Sequence, residues 1–140
     1  TGRENTYLYG ALMGRSKEQI DDLIDEIQEF AELEHHFERP IRTYSSGMKA
    51  RLGISVATSF KPDVLLIDEV LGVGDAAFKE KSRAKVRELI DASGSVVIVS
   101  HSYTMLKQIC DRIMVLDQGG IVCLDSADEA IKIYQKMLQV

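Results

Sequence analysis

Apolar residues recur at every third or fourth position over much of the first 60 residues, whereas short, uninterrupted apolar runs mark the rest of the chain. The first spacing predicts amphipathic helices, and the second predicts strands of the kind buried on both faces of a parallel sheet. The predicted order is a set of helices, then strand, helix, strand, helix and strand. We therefore predict an α/β fold in one domain, with a helical part over residues 1–60 and a sheet-bearing part over residues 61–140.

An S-x-x-Q capping box at Ser16 predicts a helix that begins there and keeps one apolar stripe as far as Ala31. Its other faces are acidic. Between Glu18 and Glu38 there are nine Asp or Glu residues and no Lys or Arg. Such a segment is either a docking surface or a solvated face, and the sequence leaves both interpretations open.

A turn of small residues, Ser45-Ser46-Gly47, opens a further helix. The first backbone N–H groups of a helix have no partner within it and lie at the positive end of its dipole, which suits phosphate oxygens. On its own the turn is better explained as a simple N-cap. The helix is expected to bury an apolar stripe made of Met48, Leu52, Val56 and Phe60.

The apolar run Val64–Ile67 predicts a buried strand, and it ends in two adjacent carboxylates, Asp68 and Glu69. Carboxylates at the carboxyl end of a parallel strand face the crevice where open α/β sheets bind ligands. One can hold a magnesium ion while its neighbour steers a water molecule. Taken alone, the pair is also compatible with an ordinary strand exit.

A second buried strand is predicted over Ser95–Ser100, and His101 follows it directly. Because parallel strands end at one edge of a sheet, His101 is expected beside the two carboxylates, close to a bound phosphate. Asp75 is placed to N-cap the intervening helix. The remaining segments predict a helix, a β-hairpin and a final helix opened by a capping box: Tyr103–Cys110, Ile113–Leu116, Ile121–Leu124 and the helix after Ser126.

The composition is that of a globular domain, with 45% hydrophobic and 28% charged residues. A net charge of −5 argues against a general nucleic-acid binder. The chain holds no apolar run of the roughly 18 residues that a membrane span needs, so any membrane link is expected to go through a partner. Cys110 and Cys123 are predicted to be free thiols in a cytosolic protein.

Four motifs, in order and spacing, resemble those of ATP-binding cassette (ABC) ATPases. The stretch Ser45–Met48 resembles a variant of the LSGGQ signature, and Leu65–Glu69 resembles the Walker B strand. Gly72–Asp75 stands where the family has its D-loop, and Val99–Ser102 stands where it has the switch histidine. The family branch that exports polysaccharides, including O-antigen and teichoic acid, is similar to this chain in two stretches, Thr1–Asn5 and Tyr44–Met48.

The P-loop pattern G-x-x-x-x-G-K-[ST] does not occur in the 140 residues. The resemblance therefore implies the carboxyl-terminal part of a P-loop NTPase domain, cut after the Q-loop, with a mostly parallel sheet and a C-terminal hairpin plus helix. It implies ATP and Mg²⁺ as cofactors, a second copy of the domain, and a transmembrane permease as partners. It also implies a cytoplasmic location, peripheral to the membrane.

The resemblance also implies a role for each site residue. Asp68 would support Mg²⁺ through its hydration shell, Glu69 would activate the attacking water, and His101 would contact the γ-phosphate. Three residues of the signature would contact the γ-phosphate bound by the opposite copy: Ser45, Ser46 and Gly47. Asp75 would couple the two ATP sites.

Three features depart from the family pattern. Ser46 stands in place of the first glycine of the signature, Met48 in place of its glutamine, and only Asp75 matches in the D-loop. Two other functions stay open: a non-hydrolysing binding or regulatory module, and an ABC ATPase of DNA repair or translation. We also expect the isolated chain neither to bind nor to hydrolyse ATP, and to self-associate through unpaired strand edges.

Overall fold

The computed structural model describes residues 1–68 and 75–138. The helices are α1 (Gly2–Leu12), α2 (Lys17–Asp21), α3 (Ile24–Ala31), α4 (Ser46–Ser59), α5 (Ala76–Ala92), α6 (Tyr103–Ile109) and α7 (Ala127–Met137), with 3₁₀ helices at Glu34–Glu38 and Ile41–Thr43. The strands are β1 (Val64–Asp68), β2 (Ser95–Val99), β3 (Arg112–Asp117) and β4 (Gly120–Ser126). The predicted α/β class is confirmed, with a small parallel sheet, an antiparallel hairpin and a C-terminal helix.

Contacts divide the described residues into two compact units, the first containing residues 1–65 and 75–96 and the second residues 66–68 and 97–138. The first unit contains a continuous apolar core. Its buried members are Ile20, Ile24, Ile27, Ala31, Leu33, Phe37, Tyr44, Leu52, Val56 and Phe60. The predicted domain division after residue 60 stays a prediction.

The helix predicted from Ser16 onward is split into α2 and α3. The capping box is present, since the Ser16 hydroxyl accepts the Gln19 N–H and the Gln19 side chain accepts the Ser16 N–H. At Leu23, however, the backbone N–H bonds to the Ile20 carbonyl at 3.1 Å, which tightens the chain into a turn. The single-helix prediction was therefore wrong at this residue.

The two strands predicted to be buried on both faces are open on one face. Val64, Leu66, Val97 and Val99 are each more than half exposed, whereas the alternating residues of β1 and β2 are half-buried. Among residues 1–68 and 75–138, no segment buries these outward-facing side chains. The prediction of full burial was therefore wrong for this chain. An apolar run is compatible with burial of both faces of a strand, but it does not show which segment would cover each face.

In the second unit, β3 and β4 form the predicted hairpin, with Arg112 opposite Ser126 and Asp117 opposite Gly120. Its turn has positive φ at Gln118 (46°) and Gly119 (80°), as two-residue hairpin turns require. Helix α7 packs on this hairpin and buries Ala130 and Ile131.

The capping box predicted at Ser126 does not form. Ser126 is the N-cap residue of α7, but its side chain makes no capping hydrogen bond. It is also the last residue of β4, and its N–H is bonded to the Asp125 side chain at 2.6 Å. The pairing of β4 with β3 thus determines the backbone conformation at Ser126, where the sequence pattern predicted a capping box.

Candidate functional site

The Ser45–Gly47 turn opens α4 at the surface of the first unit. Ser45 is the N-cap, with extended backbone (φ −65°, ψ 165°), and its Oγ accepts the Met48 N–H at 3.2 Å. Ser45 and Ser46 are exposed and Gly47 is half-buried. Among residues 1–68 and 75–138, a Cβ atom at Gly47 would meet only the Ser45 Oγ, at 3.8 Å. The amino end of α4 is therefore open to an anion such as a phosphate.

The body of α4 holds this turn on a rigid support. Leu52 and Val56 are completely buried and face α1 and α3, which both pack against α4. Met48 packs against the same core from the first turn. The apolar stripe predicted for α4 thus packs on the core of the first unit, while the polar first turn of the helix faces outward.

Asp75 is held on two sides within the first unit. Its Oδ1 accepts the Phe78 N–H at 2.9 Å, which makes it the predicted N-cap of α5. Its Oδ2 accepts a hydrogen bond from the Arg51 guanidinium on α4. The Phe78 N–H and the Arg51 charge hold the pKa of the Asp75 carboxyl below its usual range. Asp75 is thus an ionised, oriented group fixed to the helix that begins with the Ser45–Gly47 turn.

Arg51 also binds Glu32, at the end of α3. The Arg51 Nη1 lies 2.8 Å from the Glu32 Oε2, and its guanidinium lies 4.8 Å from the centre of the Phe78 ring. Lys81 of α5 approaches the other Glu32 oxygen at 2.9 Å. The hydrogen bond from Lys81, followed by its charge and that of Arg51, lowers the pKa of Glu32. We call Arg51, Glu32, Asp75 and Lys81 the Arg51 cluster, and it joins α3, α4 and α5.

The acidic segment is partly explained by ion pairs. Besides Glu32, several of its carboxylates pair with bases elsewhere in the first unit: Asp21 with Lys17 (2.8 Å), Glu26 with Lys85 (3.2 Å) and Glu38 with Arg3 (2.7 Å). The pairs with Arg3 and Lys85 link the segment to α1 and α5, whereas the Asp21–Lys17 pair lies within α2. The sequence predicted a docking or solvated face and did not reveal the pairing of Glu26 and Glu38, because Lys85 and Arg3 lie far away along the chain.

Asp68 and His101 lie at one edge of the β1–β2 sheet. Asp68 is the last residue of β1, His101 follows β2, and both are exposed. Ser102 caps α6 through its Oγ (3.4 Å to the Met105 N–H) and donates its own N–H to the Ser100 Oγ at 3.0 Å. The turn that carries His101 is therefore fixed on both sides. The juxtaposition agrees with the predicted edge, while the chemical roles stay predictions.

Glu69, Gly72, Val73 and Gly74 lie outside the described residues. In residues 1–68 and 75–138, no group of three or more His, Cys, Asp or Glu side chains could hold a metal ion. A single carboxylate such as Asp68 still suits Mg²⁺, which keeps several water ligands and takes others from phosphates. The described part of the chain also has no helix long and apolar enough to cross a membrane.

Comparison with known proteins agrees with this geometry. A solved structure of the ATP-binding subunit of an ABC transporter superposes with a TM-score of 0.72 at 19% identity, covering 96% of this chain and 56% of that one. The fold is therefore that of an ABC ATP-binding subunit. The ABC transporter family profile matches residues 1–72, and the chain belongs to this family.

Several curated relatives are named as export ATP-binding proteins. The teichoic acids export ATP-binding protein of Lactococcus lactis is 39% identical over 99% of this chain and 30% of its own length. An O-antigen export ATP-binding protein of Klebsiella pneumoniae is 38% identical over 99% of this chain and 56% of its length, and one of Yersinia enterocolitica is 45% identical over 86% and 51%. The chain thus spans roughly a third to just over half of these relatives. The predicted resemblance is confirmed.

The Arg51 cluster gives a testable pH dependence. The pKa of Glu32 and the pKa of Asp75 are each lowered from the ordinary value of that residue type, which lies near pH 4 for both types. Their stabilising contribution is therefore complete above that pH and is lost as the pH falls through the folded-state values. Urea unfolding of wild type and Arg51→Met is expected to show a midpoint difference near neutral pH that shrinks in acid.

The matched control is Lys132→Met, which removes an exposed pair with Glu129 and is expected to change the midpoint little. A midpoint difference between wild type and Arg51→Met that stays constant from neutral pH to acid would show that the two carboxylates do not contribute through Arg51.

Proposed function

We propose that this chain is part of the ATP-binding and ATP-hydrolysing subunit of an ABC transporter that exports a polysaccharide or a related polyol glycoconjugate. The observation that carries the proposal is the exposed amino end of α4, where Ser45 caps the helix and Gly47 leaves the approach open. The export functions named for the curated relatives support the substrate class.

In the proposed mechanism, Asp68 and Glu69 act from the end of β1. Asp68 would hold Mg²⁺ when the ion is bound, and Glu69 orients or deprotonates the attacking water. His101, at the same sheet edge, donates a hydrogen bond toward the terminal phosphate. Bound Mg²⁺ supplies charge neutralisation, while phosphoryl transfer asks the protein chiefly for positioning.

The Ser45–Gly47 turn is proposed to act on nucleotide held by a second copy of the protein. Backbone N–H groups at the start of α4 and the exposed serine hydroxyls supply the hydrogen-bond donors. Asp75, fixed to α4 through Arg51, links this surface to the helix that follows the D-loop position. A permease subunit would then hold the pair of ATPase subunits at the cytoplasmic face of the membrane.

The direct test uses the complete protein that carries this chain, purified with its permease and placed in vesicles. We expect Mg²⁺-dependent ATP hydrolysis and ATP-dependent movement of a polysaccharide or polyol glycoconjugate. Hydrolysis without glycan movement would overturn the substrate class alone. Absence of both nucleotide binding and hydrolysis would overturn the enzymatic function and favour a regulatory module.

The isolated 140-residue chain is expected to show no useful affinity for Mg-ATP and to self-associate. Most phosphate affinity in P-loop proteins comes from P-loop amides and lysine, and that motif does not occur in these residues. The open apolar faces of β1 and β2 favour association. Calorimetric titration and light scattering test both statements, and micromolar binding by a stable monomer would contradict them.

A further inference from the structure

Tyr44, which directly precedes the Ser45–Gly47 turn, is buried although the turn itself is exposed. The side chain of Tyr44 is only 5% exposed. Its hydroxyl donates a hydrogen bond to the His36 carbonyl oxygen at 2.7 Å. The residue that leads the chain into α4 is thereby tied to the 3₁₀ helix Glu34–Glu38.

The same hydroxyl lies against the backbone of Gly2 in the first turn of α1. A Cβ atom on Gly2 would lie 2.2 Å from the Tyr44 hydroxyl oxygen and 2.9 Å from the Phe37 carbonyl oxygen. Both separations are too short for any side chain to occupy without displacing its neighbours. Glycine is therefore needed at position 2, because the backbone there lies close to the Tyr44 hydroxyl oxygen and to the Phe37 carbonyl oxygen.

Arg3 holds the 3₁₀ helix against α1 from the other side. Its Nε lies 2.7 Å from the Glu38 Oε1, and its guanidinium lies 5.2 Å from the centre of the Phe37 ring. The start of α1 thus contacts both the Tyr44 hydroxyl and the segment to which that hydroxyl is anchored. Gly2 and Tyr44, distant in the sequence, thus belong to one contact region with the 3₁₀ helix.

We propose that Tyr44 is a positioning residue for the Ser45–Gly47 turn, and that its hydroxyl sets the turn's placement through His36 and Gly2. The inference rests on the proposed function, in which this turn contacts nucleotide on a second copy. Tyr44 is buried and acts through Ser45. Because misplacement of a catalytic surface by about 1 Å can cost on the order of 100-fold in rate, loss of one anchoring hydroxyl is expected to be visible in turnover.

The first test compares Tyr44→Phe with Tyr134→Phe in the complete protein. Tyr134 is a half-buried tyrosine of α7 in the second unit, so it controls for loss of a hydroxyl as such. Tyr44→Phe is expected to lower kcat about tenfold with the KM for ATP and the thermal midpoint nearly unchanged. A fall in thermal midpoint with unchanged kcat would show a merely structural role and overturn the inference.

The second test uses the contact with Gly2. Gly2→Ala is expected to lower kcat more than Tyr44→Phe, because the added methyl group displaces the hydroxyl. Tyr44→Phe removes the nearest obstructing atom but leaves the Phe37 carbonyl oxygen 2.9 Å from the added Cβ, so the double variant is expected to recover only part of the activity lost in Gly2→Ala. Losses that simply multiply in the double variant would contradict a shared contact.

Hydrogen exchange separates this inference from the proposed function. The amides of Met48 and Lys49 bond to the Ser45 side chain and carbonyl, and they report on the turn without any ATP hydrolysis. Tyr44→Phe is expected to speed their exchange several-fold relative to Tyr134→Phe. If the wild-type protein does not hydrolyse ATP, the proposed function fails. If the exchange rates of the two variants are equal, the positioning role fails.

Discussion

Glu69→Gln in the complete protein is expected to slow ATP hydrolysis by about 10²- to 10⁴-fold while leaving ATP binding nearly intact. Glu69 directly follows Asp68, the proposed metal-supporting residue at the end of β1. The amide keeps the size of the side chain but is a poor base, so the water loses its proton acceptor. Single-turnover hydrolysis together with equilibrium binding of a fluorescent ATP analogue measures both quantities.

Glu80→Gln is the matched control, because Glu80 is an exposed residue of α5 that makes only a distant pair (3.9 Å) with Arg83. Its turnover is expected to equal that of wild type. Near-normal turnover in Glu69→Gln would remove Glu69 from the mechanism, whereas lost binding would assign it to nucleotide affinity.

Gly47→Asp is expected to abolish turnover without loss of folding or of nucleotide binding by the same subunit. A side chain fits at this position, since only the Ser45 Oγ lies near the added Cβ. A carboxylate in the first turn is stabilised by the positive end of the α4 dipole. The folded state is therefore not expected to lose stability. Toward a facing phosphate, however, the same charge is repulsive.

Gly47→Asn controls for size without charge and is expected to retain more activity than Gly47→Asp. Thermal unfolding, ATP binding and steady-state turnover of the two variants separate the possibilities. A large loss of ATP affinity in isolated Gly47→Asp subunits would contradict action on the other copy.

Several caps and one turn of this fold could be predicted because their signals are local, although the cap predicted at Ser126 does not form. Ser45 caps α4 and Asp75 caps α5 through hydrogen bonds that span three residues, and Gly119 has the positive φ that its hairpin turn needs. Each of these features follows from side-chain and backbone chemistry within one turn. The placement of Asp68 and His101 at one edge of the sheet could be predicted from the order of the strands alone.

The remaining features depend on neighbours that spacing does not identify. Leu23 fits the apolar stripe, yet the chain turns there. The partners of Arg51, Glu32 at the end of α3 and Asp75 at the start of α5, are distant in the sequence and are identified only by the fold. Tyr44 appeared as part of a motif, while its role in the fold depends on Gly2.

The central claim is that the amino end of α4 binds nucleotide held by a second copy of the protein. The most direct measurement is the mass of the complete Glu69→Gln protein with and without Mg-ATP, by analytical ultracentrifugation, compared with the Gly47→Asp, Glu69→Gln double variant. We expect an ATP-dependent dimer for the single variant and an ATP-bound monomer for the double variant. Equal dimer formation by both proteins would contradict nucleotide binding by the amino end of α4 across the dimer.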